Sequence, residues 1–195
     1  MIEALGVIAD KLLSLLEISR VRRRELLLDV ITPLFDDLKV IHSEYLIELS
    51  AAREQCTNNP EMLKQVLTHL DEKRLFKEAE RQQILSTCER LLARKWRPEV
   101  RQFLSSAQAY LQLHPPIARL SLSAAQPVAQ IREEIRHTTG YSRVIQVLKY
   151  IIGAPIDQSA AQTIVVEIID ETLTSLRASW VQVSGDFAEI QVKSR

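Results

Sequence analysis

The stretch Leu26–Ala52, LLLDVITPLFDDLKVIHSEYLIELSAA, decides the fold class. Within it Leu27, Ile31, Leu34, Leu38, Ile41, Tyr45, Leu49 and Ala52 recur by threes and fours, the period of one face of a helix. A second seam, Val166, Ile169, Leu173, Leu176, Trp180, Val183, Phe187 and Ile190, is as regular. Both have the spacing of coiled-coil seams, and each needs a large apolar partner, which the other can supply. The expectation is an all-α, single-domain helical bundle over residues 1–195, with two long amphipathic helices near its N- and C-terminal ends. Its parts are a long kinked N-terminal helical segment (1–55), middle helices (60–113) and C-terminal helices (127–195).

Composition agrees. Only four glycines in 195 residues disfavour a barrel or sandwich with many tight turns. Basic and acidic residues balance at 25 each, so no overall field draws the chain to a polyanion, and attraction of that kind must come from a local patch. Cys56 and Cys88 have no metal-type spacing and form no disulfide framework, which fits a reducing compartment, and a cytoplasmic location is expected. The apolar run Ala4–Leu16 is interrupted by Asp10 and Lys11 and does not read as a signal peptide. The Tyr150–Ile152 region is cut short by Gly153 and Pro155, so no membrane span is expected and the protein should be soluble.

Outward from the first seam, a helix is predicted over Ile2–Ile18 with Leu5, Ile8, Leu12, Leu15 and Leu16 on one side. Its stripe fails at Arg20, Arg22, Arg23 and Arg24, where Glu25 and Asp29 offer ion-pair partners to a solvated arginine face. Pro33 sits within the seam, which keeps phase across it. One kinked helix is the preferred reading, with Thr32 as N-cap of a new helix the alternative. Asn58-Asn59-Pro60 is the clearest turn, with Asn59 a candidate N-cap. Met62, Val66, Leu70, Phe76, Ala79, Ile84, Cys88, Leu91 and Leu92 are the expected core positions of one or two helices over 61–95, loosest at Asp71–Arg74. Trp96-Arg97-Pro98 breaks the run, and Pro98 opens a helix carrying Val100, Phe103, Leu104, Ala107, Tyr110 and Leu111, closed by His114-Pro115-Pro116.

An ordered loop is expected over Ile117–Gln126, then a helix from Pro127 to about His137 stopped by a left-handed Gly140. Tyr141–Ile152 reads as a central core helix with Ser142, Arg143, Gln146 and Lys149 as its solvent contacts. Asp157 or Ser159 caps the last helix. Val181-Gln182-Val183 and Ala188–Val192 also alternate around Gly185-Asp186 like a hairpin, but the helical period covers more positions and is preferred.

No complete catalytic or ligand signature appears. The scattered glycines exclude a phosphate-cradling P-loop, and there is no nucleophile elbow. Glu134-Ile135-Arg136-His137 matches half of a di-iron carboxylate motif, yet one copy without further glutamates is not a site. Neither metal nor cofactor is expected. Cys88, on a core phase, is expected to be inert.

Charge is uneven. Arg81, Arg90, Arg94, Lys95, Arg97 and Arg101 face only Glu89 and Glu99 in their segment, while Asp157–Ile190 is acidic save for Arg177. The preferred account sets these segments beside one another as mutual neutralisers. The functional account makes Arg90, Arg94, Lys95, Arg97 and Arg101, with Trp96 among them, a patch for a polyanion or acidic partner, as Arg20, Arg22, Arg23 and Arg24 also could be.

The expected function is that of a non-enzymatic helical interaction or scaffold subunit, associating with itself as a homodimer or larger assembly, with another protein subunit, or with both. The alternative is a small nucleic-acid-binding protein using the arginine clusters. Replacing Arg22, Arg23 and Arg24 together by Gln should leave the thermal midpoint within about 2 °C of the parent, because exposed pairs contribute little. A large drop would place these arginines in a buried network.

Overall fold

A computed structural model describes residues 27–113, 139–153 and 156–193. They form helices, with no strand among the described residues. A π-helical turn, Leu27–Ile31, runs directly into α1 (Thr32–Asn58). A 3-10 turn (Pro60–Met62) leads to α2 (Leu63–Leu92), followed by α3 (Pro98–Leu111), α4 (Gly140–Gly153) and α5 (Gln158–Lys193). The all-α bundle expected from the two seams is therefore present. The expected Ile2–Ile18 helix, Arg20 to Arg24, the Ile117–Gln126 loop, the Pro127–His137 helix and the Glu134–His137 pair lie outside the described residues.

The two seams do meet. Ile31, Leu34, Leu38, Ile41, Tyr45, Leu49 and Ala52 of the first are buried, as are Ile169, Leu173, Leu176, Val183, Phe187 and Ile190 of the second, with Val166 and Trp180 half-buried. Phe35 stacks on Phe187 with ring centroids 4.0 Å apart, His42 stacks on Trp180 at 4.6 Å, and Arg53 pairs with Asp170. Positions descend along α5 as they ascend along α1, so the helices are antiparallel. α3 lies beside both and runs with α1, since Phe35 meets Phe103 and His42 meets Tyr110. α2 runs against α1 through Lys77–Glu44 and Lys73–Glu48, and α4 runs against α2 through Ser142–Glu78 and Lys149–Asp71. One contiguous core joins all five helices.

Pro33 occupies the first turn of α1, and helical backbone continues through Ile31 without a side-chain cap, so Thr32 is not an N-cap. The wider π turn ahead of it accommodates a residue that has no N–H and whose ring crowds the preceding carbonyl. Asn59 ends α1 and precedes the 3-10 turn in position only, with no side-chain cap hydrogen bond. α2 is a single helix through Asp71–Arg74, where those two side chains pair. Pro98 opens α3 as expected, and the Asp157 carboxylate accepts the N–H groups of Ser159 and Ala160 at the start of α5. α5 is helical through Gly185-Asp186 and on to Lys193, which disposes of the hairpin.

Several readings need correction. Phe76, expected in the core, is 84% exposed, and Met62 and Ala79, expected there too, are exposed as well. The inward direction of α2 at that level belongs to Arg81, and at about 100° per residue Phe76 points some 140° away from it. Ser142 and Arg143, expected in solvent, are buried, because polar groups of neighbouring elements receive them: Glu78 accepts the Ser142 hydroxyl, and the Gln112 carbonyl accepts from Arg143 Nη1 at 3.4 Å.

Gly140 does not stop a helix in a left-handed conformation. It begins α4, and no glycine among the described residues has positive φ. Glycine is needed here because the chain leaving α3 crosses directly over it: a Cβ would stand 2.2 Å from the Leu113 carbonyl oxygen. Gly185 is the opposite case, in mid-helix with nothing near an added Cβ. Gly140→Ala should therefore cost about 3 kcal/mol or more, since rigid backbone must move, whereas Gly185→Ala should gain about 0.5–1 kcal/mol from helix propensity. Urea midpoints check both, and equal effects at the two positions would contradict this account of Gly140.

Candidate functional site

Three places in the fold carry chemistry, and the most buried is built around Arg81. Its side chain is wholly buried, and its guanidinium packs against a pair of tyrosine rings, 4.5 Å from the Tyr45 centroid and 4.6 Å from that of Tyr141. The rings themselves are stacked at 4.4 Å. The nearest carboxylate oxygen, from Glu44, is 3.9 Å from Nη2, and Nε, Nη1 and Nη2 have no hydrogen-bond partner among the described residues. The charge is held mainly by ring faces, an arrangement worth about 2 kcal/mol or more per ring when desolvated.

One turn earlier on α2, Glu78 receives the start of α4. Its carboxylate accepts from Thr139 N (3.0 Å), Thr139 Oγ1 (2.8 Å), Ser142 Oγ and Gln82 Nε2 (2.9 Å). Burial pushes the Glu78 carboxyl upward, but donors from Ser142, Thr139 and Gln82 together outweigh it and hold the group below its ordinary value. The Tyr141 hydroxyl donates to Glu48 at 2.5 Å. Burial, reinforced by that carboxylate, raises the Tyr141 phenol far out of the physiological range. On the other flank of α1, His42 Nδ1 shares a hydrogen bond with the Tyr110 hydroxyl at 3.0 Å. Burial and, after it, the charge of Arg177 lower its pKa, so the imidazole is neutral. These groups face one another rather than a cleft. Cys88 is buried, and burial pushes its thiol up to about 12, which makes it inert as expected. No cluster of metal-type ligands occurs among the described residues.

The second place is the end of α2 and the turn into α3, which carries the predicted basic residues. Arg90, Arg94, Lys95, Arg97 and Arg101 are all exposed. Arg97 reaches Glu99 at 3.5 Å, and Arg90 donates to Thr87 Oγ1 at 3.4 Å. Arg94, Lys95 and Arg101 have no ion-pair partner among the described residues. Three of the five acidic residues of α5 are engaged elsewhere: Asp170 with Arg53, Asp186 with Gln102 and Gln182, Glu189 with Lys193. Trp96 differs from its neighbours. It is half-buried against the core, and its indole N–H donates to the Leu91 carbonyl at 2.5 Å, pegging the end of α2. The other predicted cluster, Arg20 with Arg22, Arg23 and Arg24, falls outside the described residues, so the two cannot be related in space.

The third place, missed in sequence because Phe76 was placed in the core, is the outer face shared by α1 and α2. Phe76 is 84% exposed, Ile47 69% and Val40 51%. Ile47 lies between Glu44 and Glu48 in the chain and Phe76 between Lys73 and Lys77, so the Lys77–Glu44 and Lys73–Glu48 ion pairs, at 2.5 and 3.7 Å, set both at one height. Beyond them, Leu67, Leu75 and Ile152 line a groove of about 570 Å³ between α2 and α4, with Lys64 and the Lys149–Asp71 pair at its edges. No helix among the described residues is long and apolar enough to cross a membrane. Comparison of the chain with known protein families, with curated proteins and with solved structures finds no match.

The two depressed groups set an acid profile. His42 in the fold titrates below its ordinary 6.5 and Glu78 below its ordinary 4.5, so each stabilises above its ordinary value and loses that contribution as pH falls toward the folded one. The thermal midpoint should begin to fall below about pH 6.5 and fall again below about 4.5. His42→Phe should abolish the first step, and Glu78→Gln should reduce the second. A midpoint that rises between pH 7 and 5 would contradict the His42 assignment, and one that does not fall further below about pH 4.5 would contradict that of Glu78.

Proposed function

We propose that this chain is a non-enzymatic helical interaction subunit that associates with a second copy of itself. The observation that carries the reading is the outer α1–α2 face, where Phe76, Ile47 and Val40 stand exposed on two packed helices. Taking such side chains out of water contributes about 1.5–3 kcal/mol each, and a two-fold contact counts the patch twice. Net charge of zero provides no repulsion between copies. The ion-paired lysines and glutamates beside the patch supply the polar rim that such interfaces carry. The non-enzymatic part of the reading is supported by the buried titratable groups, which serve one another and the helix ends. Two buried free cysteines suit a reducing compartment, in keeping with a cytoplasmic setting.

Size exclusion with light scattering should give a mass near twice 22.3 kDa at micromolar concentration. The double variant Ile47→Glu/Phe76→Glu should run as a monomer with an unchanged helical spectrum, because both side chains are exposed. A wild-type monomer that stays monodisperse across concentration and salt overturns self-association. A wild-type dimer that survives the double substitution overturns this face as its contact.

A further inference from the structure

We propose that the α2–α3 turn is a duplex nucleic-acid contact, in which Arg90, Arg94, Lys95 and Arg101 hold backbone phosphates. Three observations lead there. First, the charge is available: Arg94, Lys95 and Arg101 have no carboxylate partner among the described residues, while Asp170, Asp186 and Glu189 of α5 pair with Arg53, with Gln102 and Gln182, and with Lys193. At the end of α5, Lys193 pairs with Glu189 at 2.6 Å, so that end adds no net charge to the turn.

Second, the local structure does not need these cations. Basic residues often gather at a helix C-terminus to meet its unpaired carbonyls. Here two of those carbonyls have other donors: the Trp96 indole and Arg94 N serve the Leu91 carbonyl, and Ala93 N serves that of Glu89, while no basic side chain caps the end of α2 among the described residues. The long side chains of Arg90, Arg94 and Lys95 are left exposed.

Third, the character of the surface selects the partner. No exposed large hydrophobic side chain lies between Arg90 and Arg101, and Val192 at the nearby end of α5 stands singly, so an acidic protein would find charge without the cluster of apolar anchors that protein interfaces use. Phosphate contacts need no anchor. Single-stranded nucleic acid is held by stacking bases on aromatic rings, and the one ring in the segment, Trp96, is half-buried with its N–H engaged. A duplex, bound through its backbone and without sequence preference, is the polyanion that remains.

Fluorescence polarisation of a short labelled duplex, titrated with the full chain between about 50 and 200 mM salt, tests this. Four phosphate contacts predict a log–log salt slope near −3.6 (about 0.9 × 4). The triple variant Arg94→Glu/Lys95→Glu/Arg101→Glu should bind at least tenfold more weakly with a slope shallower by about 2.7 (0.9 × 3), while its helical spectrum and its mass by light scattering match the parent. The proposal is overturned by absence of binding at the lowest salt, by a salt-independent affinity, or by a triple variant that binds like the parent. It is equally overturned if a single strand binds more tightly than the duplex, or if polyglutamate displaces the duplex at equal charge, which would identify an acidic protein surface as the partner class. The same titration on the Ile47→Glu/Phe76→Glu chain reads a single turn and keeps these outcomes independent of the α1–α2 face.

Discussion

The packing of α1, α2 and α4 depends on one buried cation. Bringing a guanidinium into a protein interior costs several kcal/mol unless something meets its charge, and the nearest carboxylate oxygen among the described residues, from Glu44, stands 3.9 Å from Arg81. Tyr45 from α1 and Tyr141 from α4 meet it instead, one ring on each helix. The guanidinium meets both rings of this stacked pair only if α1 and α4 approach α2 at one level, so a residue that is costly to bury fixes the relative height of three helices. Glu78, one turn away on the same helix, repeats the constraint by holding Thr139 and Ser142 at the start of α4.

That constraint also shapes the exterior. With the inward face of α2 given to Glu78 and Arg81, and its border with α1 to Lys73 and Lys77, the large apolar residue of the same turn has nowhere to go but out. The exposed Phe76 is the geometric consequence of a polar core turn. Surface and core are thus set by the same few residues, and neither the interaction face nor the bundle's interior can be redesigned alone.

Much of the architecture was legible because it rests on periodicity and on punctuation. The two seams, Pro98 opening α3 and Asp157 capping α5 act through local spacing or local backbone chemistry, which a sequence displays. What was not legible depends on partners far along the chain. Arg81 reads as one more surface cation because a buried arginine and an exposed one share the same helical phase rule; only Tyr45 and Tyr141, 36 and 60 residues away, distinguish them. Gly140 followed by a new helix and Gly140 ending an old one are the same letters, and the choice is made by the Leu113 carbonyl. Complementary totals of charge were half informative: α3 does pack beside α5, with Gln102 reaching Asp186, but no ion pair among the described residues joins the basic turn to the acidic helix, because helix phase gives their charges other partners. Of the ten residues singled out, those from Arg90 to Arg101 do share one exposed turn, and Trp96 among them proved to be a peg for the end of α2.

The two proposed contacts bear on each other through α2, which carries both. Phe76 and Arg90 are 14 positions apart, so along a rise of 1.5 Å per residue they are separated by about 21 Å. A contact centred on Phe76 therefore leaves the far end of the helix uncovered, and a two-fold pair presents two basic turns rather than one. A single turn with about four phosphate contacts is a weak, salt-sensitive holder. Two turns fixed to one rigid pair raise the effective concentration of the second once the first has bound, provided that one duplex can reach both. Self-association would then act on nucleic-acid affinity without any residue of the α1–α2 face touching a phosphate. The substitution of Phe76 and Ile47 should accordingly weaken duplex binding at intermediate salt while leaving the affinity of each single turn unchanged, a dependence that a basic patch acting alone does not produce.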